Sequence, residues 1–283
     1  MPFPVPNPST SESSDAQRDE RKRQASPPSA FFAQSQAVLT AVKYFEGLHS
    51  GYPGAARKHM NRICGAMFVQ LMAAFEFTTK DFIAQTLDAT HIYDDDVKGW
   101  SWLQIDVAAV LSTREGLGRL GAVLVHPLPQ WQVPETVNER YQDVFKRQPI
   151  RRLEIQPLRD LWIVRHSVAH NAGFVTQPDA RRLRSAELRE KQVSIDVDFL
   201  QEAIDFLRAV VARLDTVIGA SLLERFFREG ASGVWEQDRE TYARLKLLTT
   251  YVRSRPTELP EIEESRYAAD LATYTERNDG EGA

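Results

Sequence analysis

The chain has 283 residues, 42% of them hydrophobic, a formal net charge of −4 and one cysteine, Cys64. Such length and apolar content support one large or two small domains with a real core; the charge carries no global nucleic-acid signature, and a lone cysteine excludes an internal disulfide and fits a reducing compartment. The opening MPFPVPNPST lacks the basic and apolar blocks of a secretory signal, and no apolar run approaches the roughly 20 residues that span a bilayer, so the chain reads as soluble and cytoplasmic, with no membrane role.

Residues 1–29 mix Pro, Ser and charge with almost no apolar content. They are expected to be disordered, because they cannot bury enough surface to offset chain entropy. A first helix is predicted over 31–49, ended by the breaker Ser50-Gly51-Tyr52-Pro53-Gly54. A long helix follows over 55–87, where Ile63, Met67, Leu71, Ala74, Thr78 and Phe82 recur at three- and four-residue steps and Phe75 widens the stripe. His91 with Asp94, Asp95 and Asp96 has the composition of a hard-metal site. Consecutive aspartates diverge in any regular structure and favour loops and N-caps, so a solvated loop is expected there, and no metal.

A helix near 105–111, continuing towards Val125, precedes a proline-bearing loop whose His126 reads as a loop residue. Pro134 suits the first turn of a helix over 135–148, which Pro149 stops. Arg151 and Arg152 then lead into a central helical stretch, 158–171, closed by Gly173. Residues 174–196 look irregular, with a short extended piece at 193–196. Leu200, Ile204, Leu207, Val211, Leu214 and Ile218 form a heptad-like seam, for which packing inside one bundle is the default and self-association the alternative. A break at 229–233, a helix over 236–253, a short helix over 267–274 and a disordered tail complete the chain. The division expected is a disordered segment 1–29, an all-α helical domain 30–229, and a C-terminal helical extension with flexible tail 230–283.

The central stretch is unusual for what it places on its apolar side. At roughly 100° per residue, Leu158, Leu161, Trp162, Val168 and Ala169 share one side, and Arg165 lies in their midst. An arginine there is costly to bury unless it meets an anion or carboxylate. His170 follows five residues later, diverging by roughly 140° in a straight helix. The two therefore converge on a small ligand only if the last turn loosens or a second copy of the helix packs across the first. Charge gathers here as well: 146–189 carries ten Lys/Arg against four acids, an excess of +6 that leaves −10 for the rest. Such a patch suits a phosphate backbone, and Arg151, Arg152, Arg159, Arg181, Arg182 and Arg184 are its candidate RNA contacts.

Other chemistries lack their residues. There is no glycine-rich phosphate loop after a strand, no CxxC pair, no HExxH and no GxSxG elbow. His166 and His170 are four apart, a spacing that shares a helix face, but no carboxylate or thiol has the spacing to complete a metal site. The plain structural alternative for the motif is an arginine bonded to a core acid plus a helix-capping histidine.

Arg165-His166-Ser167-Val168-Ala169-His170 has the form R-x4-H with a polar residue after the arginine, followed by Asn171 and a glycine-bearing turn. This resembles the signature of the HEPN superfamily, all-helical domains of which many are metal-independent ribonucleases, and in particular its RHxxxHN subset. The resemblance covers about residues 31–229 and implies an all-α bundle. It also implies catalysis by Arg165 and His170 with His166 and Asn171 in support, no cofactor, and a homodimer in which two motif helices meet in one cleft. The chemistry suits these residue types. RNA supplies its own 2′-hydroxyl nucleophile, histidine moves a proton near neutral pH, and arginine matches phosphate oxygens with a planar fork. Members serve as toxins, in phage defence and in RNA decay, some with a neutralising or regulatory protein partner. One toxin branch carries a tyrosine two residues after the histidine, where this chain has Ala172, so neutralisation by modifying that tyrosine is closed to it. The other reading is a non-catalytic helical dimer that binds RNA or a protein partner.

Overall fold

The computed structural model describes residues 26–49, 53–103, 120–249 and 262–281. Among them the elements in chain order are α1 (Pro27–His49), α2 (Pro53–Ala89), the single turn α3 (Asp94–Val97), α4 (Leu120–Val125) and α5 (Pro134–Phe145). Then come α6 (Arg152–His170), α7 (Gln177–Arg182), α8 (Val197–Arg225), α9 (Trp235–Thr249) and α10 (Glu264–Glu281), with a 3-10 turn (Ala186–Leu188) and a π turn (Phe226–Gly230) between them. The described chain is all-α, and its one extended feature is an isolated antiparallel bridge between Phe174 and Gln192.

Helix α2 is the axis of the bundle. Cys64, Phe68, Leu71, Met72, Phe75, Phe82 and Ile83 are buried along it, and α1, α4, α6, α8 and α9 all pack against it. Its buried face is wider than the predicted stripe, and Ile63, Met67 and Ala74 sit on its shoulder, only partly covered. Thr78 and Thr86 enter the core without orphaning their hydroxyls, which donate to the carbonyls of Ala74 (2.9 Å) and Phe82 (2.8 Å). Helix α4 docks at backbone contact: a Cβ on Gly121 would lie 1.9 Å from the Ala84 carbonyl oxygen.

The heptad-like seam of α8 is used inside the bundle. Leu200, Ile204, Leu207, Val211, Leu214 and Ile218 are all buried, each contributing about 1.5–3 kcal/mol relative to exposure. Asp196 caps the helix, its carboxylate accepting from Phe199 N at 2.9 Å. Tyr242, Leu245, Leu248 and Tyr267 belong to the same hydrophobic cluster, so α9 and α10 share the core of the preceding helices. Tyr267 donates to Asp238 (2.5 Å) and Tyr242 to Asp270 (2.6 Å), fastening α10 to α9.

Several boundaries differ from the sequence reading. Helix α1 starts at Pro27, so Ser26–Ser29 belong to it rather than to the N-terminal segment: the Ser26 hydroxyl accepts from Ser29 N as an N-cap, and Pro27 takes the first helical position. Helix α5 ends at Phe145 because Lys146 turns left-handed (φ 55°). Helix α6 begins at Arg152, not at Leu158, and carries Pro157 in its second turn. Helix α10 runs to Glu281, through what was expected to be a tail. The acidic triad forms the turn α3 instead of a solvated loop, because Asp96 pairs with Arg225 (2.6 Å), whose guanidinium lies 4.3 Å from the Tyr93 ring centroid. His126 is in a loop yet not idle, with Nε2 3.3 Å from an Asp81 carboxylate oxygen. The predicted helix at 105–111 and the segments 1–25 and 250–261 lie outside the described residues.

One half-buried acid on α8 has a consequence for pH. Burial pushes the Asp215 carboxyl from its ordinary 3.8 up to about 7, against the opposing pull of Lys246. Its Oδ1 has no hydrogen-bond partner. A carboxyl whose folded pKa is raised keeps its proton longer in the folded state, so stability falls as pH climbs from about 4 to about 7. Asp215→Asn is expected to raise the unfolding midpoint at pH 8 and leave it unchanged near pH 4. Equal midpoints at both pH values would refute the assignment.

Candidate functional site

The R-x4-H stretch occupies the last two turns of α6, which leans on α2. Leu158, Trp162 and Ser167 are its buried residues. A glycine on α2 sets the approach: a Cβ on Gly65 would meet Val168 Cγ1 at 3.3 Å. Leu161, Val164 and Val168 are only partly covered, so the helix sits at the side of the bundle with much of its surface accessible.

Arg165 and His170 are together. Arg165 Nη1 lies 3.2 Å from His170 Nε2. Arginine has no acceptor, so in this contact Arg165 is the donor and His170 Nε2 the acceptor. The backbone remains helical through His170, which corrects the expectation that a regular helix keeps the pair apart. The arginine side chain is long enough to cross the angular gap. His166 lies on the same exposed end, its ring centroid 5.1 Å from that of His170 and tilted by 47°. Asn171 is partly buried just beyond the helix and does not cap it with its side chain; its N–H bonds the Ser167 carbonyl at 3.0 Å.

The turn that holds His170 in place is tightly specified. Ala172 (φ 52°) and Gly173 (φ 86°) are both left-handed, where Gly173 alone was expected. Left-handed backbone costs a residue with a Cβ about 1–2 kcal/mol, and local bonds offset it. Gly173 N donates to the Ser167 carbonyl (2.8 Å), and Gln192 Nε2 donates to the Ala172 carbonyl (2.8 Å). Beyond the turn, residues 174–193 form a flap that closes on itself: Val175 N bonds Lys191 O (3.0 Å), and Val193 N bonds Gly173 O (2.9 Å). Buried Val175, Asp179 and Ala180 anchor it. Helix α7 and the 3-10 turn lie inside it, where irregular chain was expected.

Two polar groups here are buried and unpartnered, Arg165 Nε and Ser167 Oγ. No carboxylate among the described residues pairs with Arg165, so no described acid accounts for this arginine. The candidate RNA contacts divide. Arg159 is paired with Glu135, and Arg182 with Asp179 at 3.4 Å. Arg151, Arg152, Arg181 and Arg184 are exposed without an ion pair among the described residues, two at the start of α6 and two on the flap. Among the described residues no three His, Cys, Asp or Glu side chains gather as a metal site, so His166 and His170 have no third ligand. No described helix is long and apolar enough to cross a membrane. Sequence reasoning missed Gln192, whose bond to the motif turn spans twenty residues and leaves no local signal. It also missed Phe174, which an exposed aromatic directly after the motif does signal.

In comparisons with known proteins, the chain matches no family model, no curated protein and no solved structure.

Proposed function

We propose that the protein is a HEPN-like, metal-independent endoribonuclease of the cytoplasm, acting in a defence or toxin-type role. The observation that supports this reading is the 3.2 Å contact of Arg165 Nη1 with His170 Nε2 at an exposed helix end. An incoming phosphate offers the guanidinium a better, charged partner, which frees Nε2 as a base. His170 then takes the proton of the 2′-hydroxyl, the O2′–P bond forms, and the P–O5′ bond breaks. A 2′,3′-cyclic phosphate and a solvent-protonated 5′-hydroxyl result. Arg165 stabilises the charge growing on the phosphoryl oxygens, with His166 and Asn171 as supporting polar groups.

Purified protein is expected to cleave single-stranded RNA in excess EDTA. Binding without cleavage would leave only the RNA-binding reading, and neither would sink both. We also propose a homodimer through α6, whose partly covered Leu161, Val164 and Val168 suit a second copy. Light scattering at micromolar concentration is expected to give about twice the 32.2 kDa chain mass. A monomer that still cuts RNA would remove the composite cleft.

A further inference from the structure

Phe174 is a large hydrophobic left 50% exposed, and it sits four residues after His170. Exposure alone is ordinary for an aromatic, but the way this one is held is not. Its N–H donates to the Asn171 carbonyl at 2.9 Å, a turn that keeps its Cα within about 7 Å of Asn171. Across the bridge it faces Gln192. The flanking bonds, Val175 N to Lys191 O and Val193 N to Gly173 O, make this a non-hydrogen-bonded pair, with Cα atoms about 4.5 Å apart and side chains on one face.

Gln192 is itself fixed, its Nε2 bonded to the Ala172 carbonyl and its Cγ packed where a Cβ on Gly173 would come within 3.1 Å. The neighbour Val175 points inward and is fully buried, so the alternation of an extended segment turns Phe174 outward. The backbone beneath the ring is therefore hydrogen-bonded on both sides. The same flap carries Arg181, Arg184 and Lys191, all exposed and with no side-chain partner among the described residues. An aromatic face on a fixed support, with cations that track a backbone, is the composition of a single-strand platform.

We infer that Phe174 is a base-stacking platform that receives an unpaired nucleobase of single-stranded RNA beside His170. This rests on the ribonuclease reading for its placement but not for its test. The stacked base cannot remain in a duplex, so the site takes unpaired RNA. The flap cations hold the phosphates that follow, and the Gln192 bond fixes the distance from the platform to the histidine.

The test uses the full chain and a ten-nucleotide 2′-O-methyl RNA carrying 2-aminopurine, which binds but offers no 2′-hydroxyl to attack. Wild-type protein is expected to quench the 2-aminopurine on binding. Phe174→Leu should lose the quench and bind about 5- to 150-fold more weakly, the range that 1–3 kcal/mol per stacked base gives. Phe174→Trp should keep both, which separates stacking from damage to the flap. Full quenching by Phe174→Leu overturns the platform, and so does the absence of any binding by wild type. A Phe174→Leu variant that merely converts dimer to monomer in sedimentation also overturns it, making Phe174 a contact between copies. Failure of the ribonuclease reading looks different: Phe174-dependent quenching persists, and ordinary RNA stays intact.

Discussion

His170→Ala and Arg165→Ala are each expected to lose RNA cleavage by about a hundredfold or more while keeping the wild-type unfolding midpoint. Loss of a proton-transfer group or of the charge partner for the developing phosphorane carries that order of penalty. Stability should survive, because His170 is exposed and no described acid depends on Arg165. The double variant should be little worse than either single one, since the two act through one 3.2 Å contact and such units are not additive. His166→Ala should cost less, as its ring contacts His170 without sharing that bond. A structural arginine would give the opposite pattern, with the midpoint falling and activity falling only in step. A well-folded His170→Ala protein with full activity would sink the assignment.

Asn138→Ala is expected to cost the largest share of stability of any polar substitution proposed here. Asn138 is 5% exposed and clamps one residue with both ends of its amide: Nδ2 donates to the Ile150 carbonyl (2.8 Å), and Oδ1 accepts from Ile150 N (2.9 Å). Alanine leaves both backbone groups buried and unpaired. At about 1–3 kcal/mol each, the loss is about 2–6 kcal/mol, or roughly 4–24 °C in the unfolding midpoint of a chain this size. Ile150 immediately precedes Arg151, the N-cap of α6, so the loosened frame is that of the motif helix. An unchanged midpoint by calorimetry would mean the clamp is not formed.

The amphipathic helices were the readable part of this chain. The α8 seam could be seen as a repeat because packing imposes a 3.6-residue period on whatever fills the core. The α6 start could not, because Pro157 reads as a boundary, yet the helix carries it inside its second turn, where it removes one intrahelical bond without ending the helix. The SPPS start of α1 was obscured by composition, since two prolines and two serines suggest a linker until Ser26 is seen capping. Arg165 and His170 were visible as residues, but their contact was hidden. A helical projection records where Cβ atoms point and ignores how far an arginine reaches. Ala172 adopting a left-handed turn depends on Gln192, twenty residues away, which no local pattern encodes.

The central place of α2 also constrains how the protein is made. At 37 residues it is about 55 Å long, and it is made before several of the helices that cover it. Yet α8 and α9, which cover it, lie more than a hundred residues later in the chain. At roughly 5–20 residues per second, its apolar flank waits on the order of ten seconds for a cover. In that interval α6 has emerged without the finished bundle to support it. The exposed histidine at the end of α6 thus gains the support of α8 and α9 only after those later helices have been made.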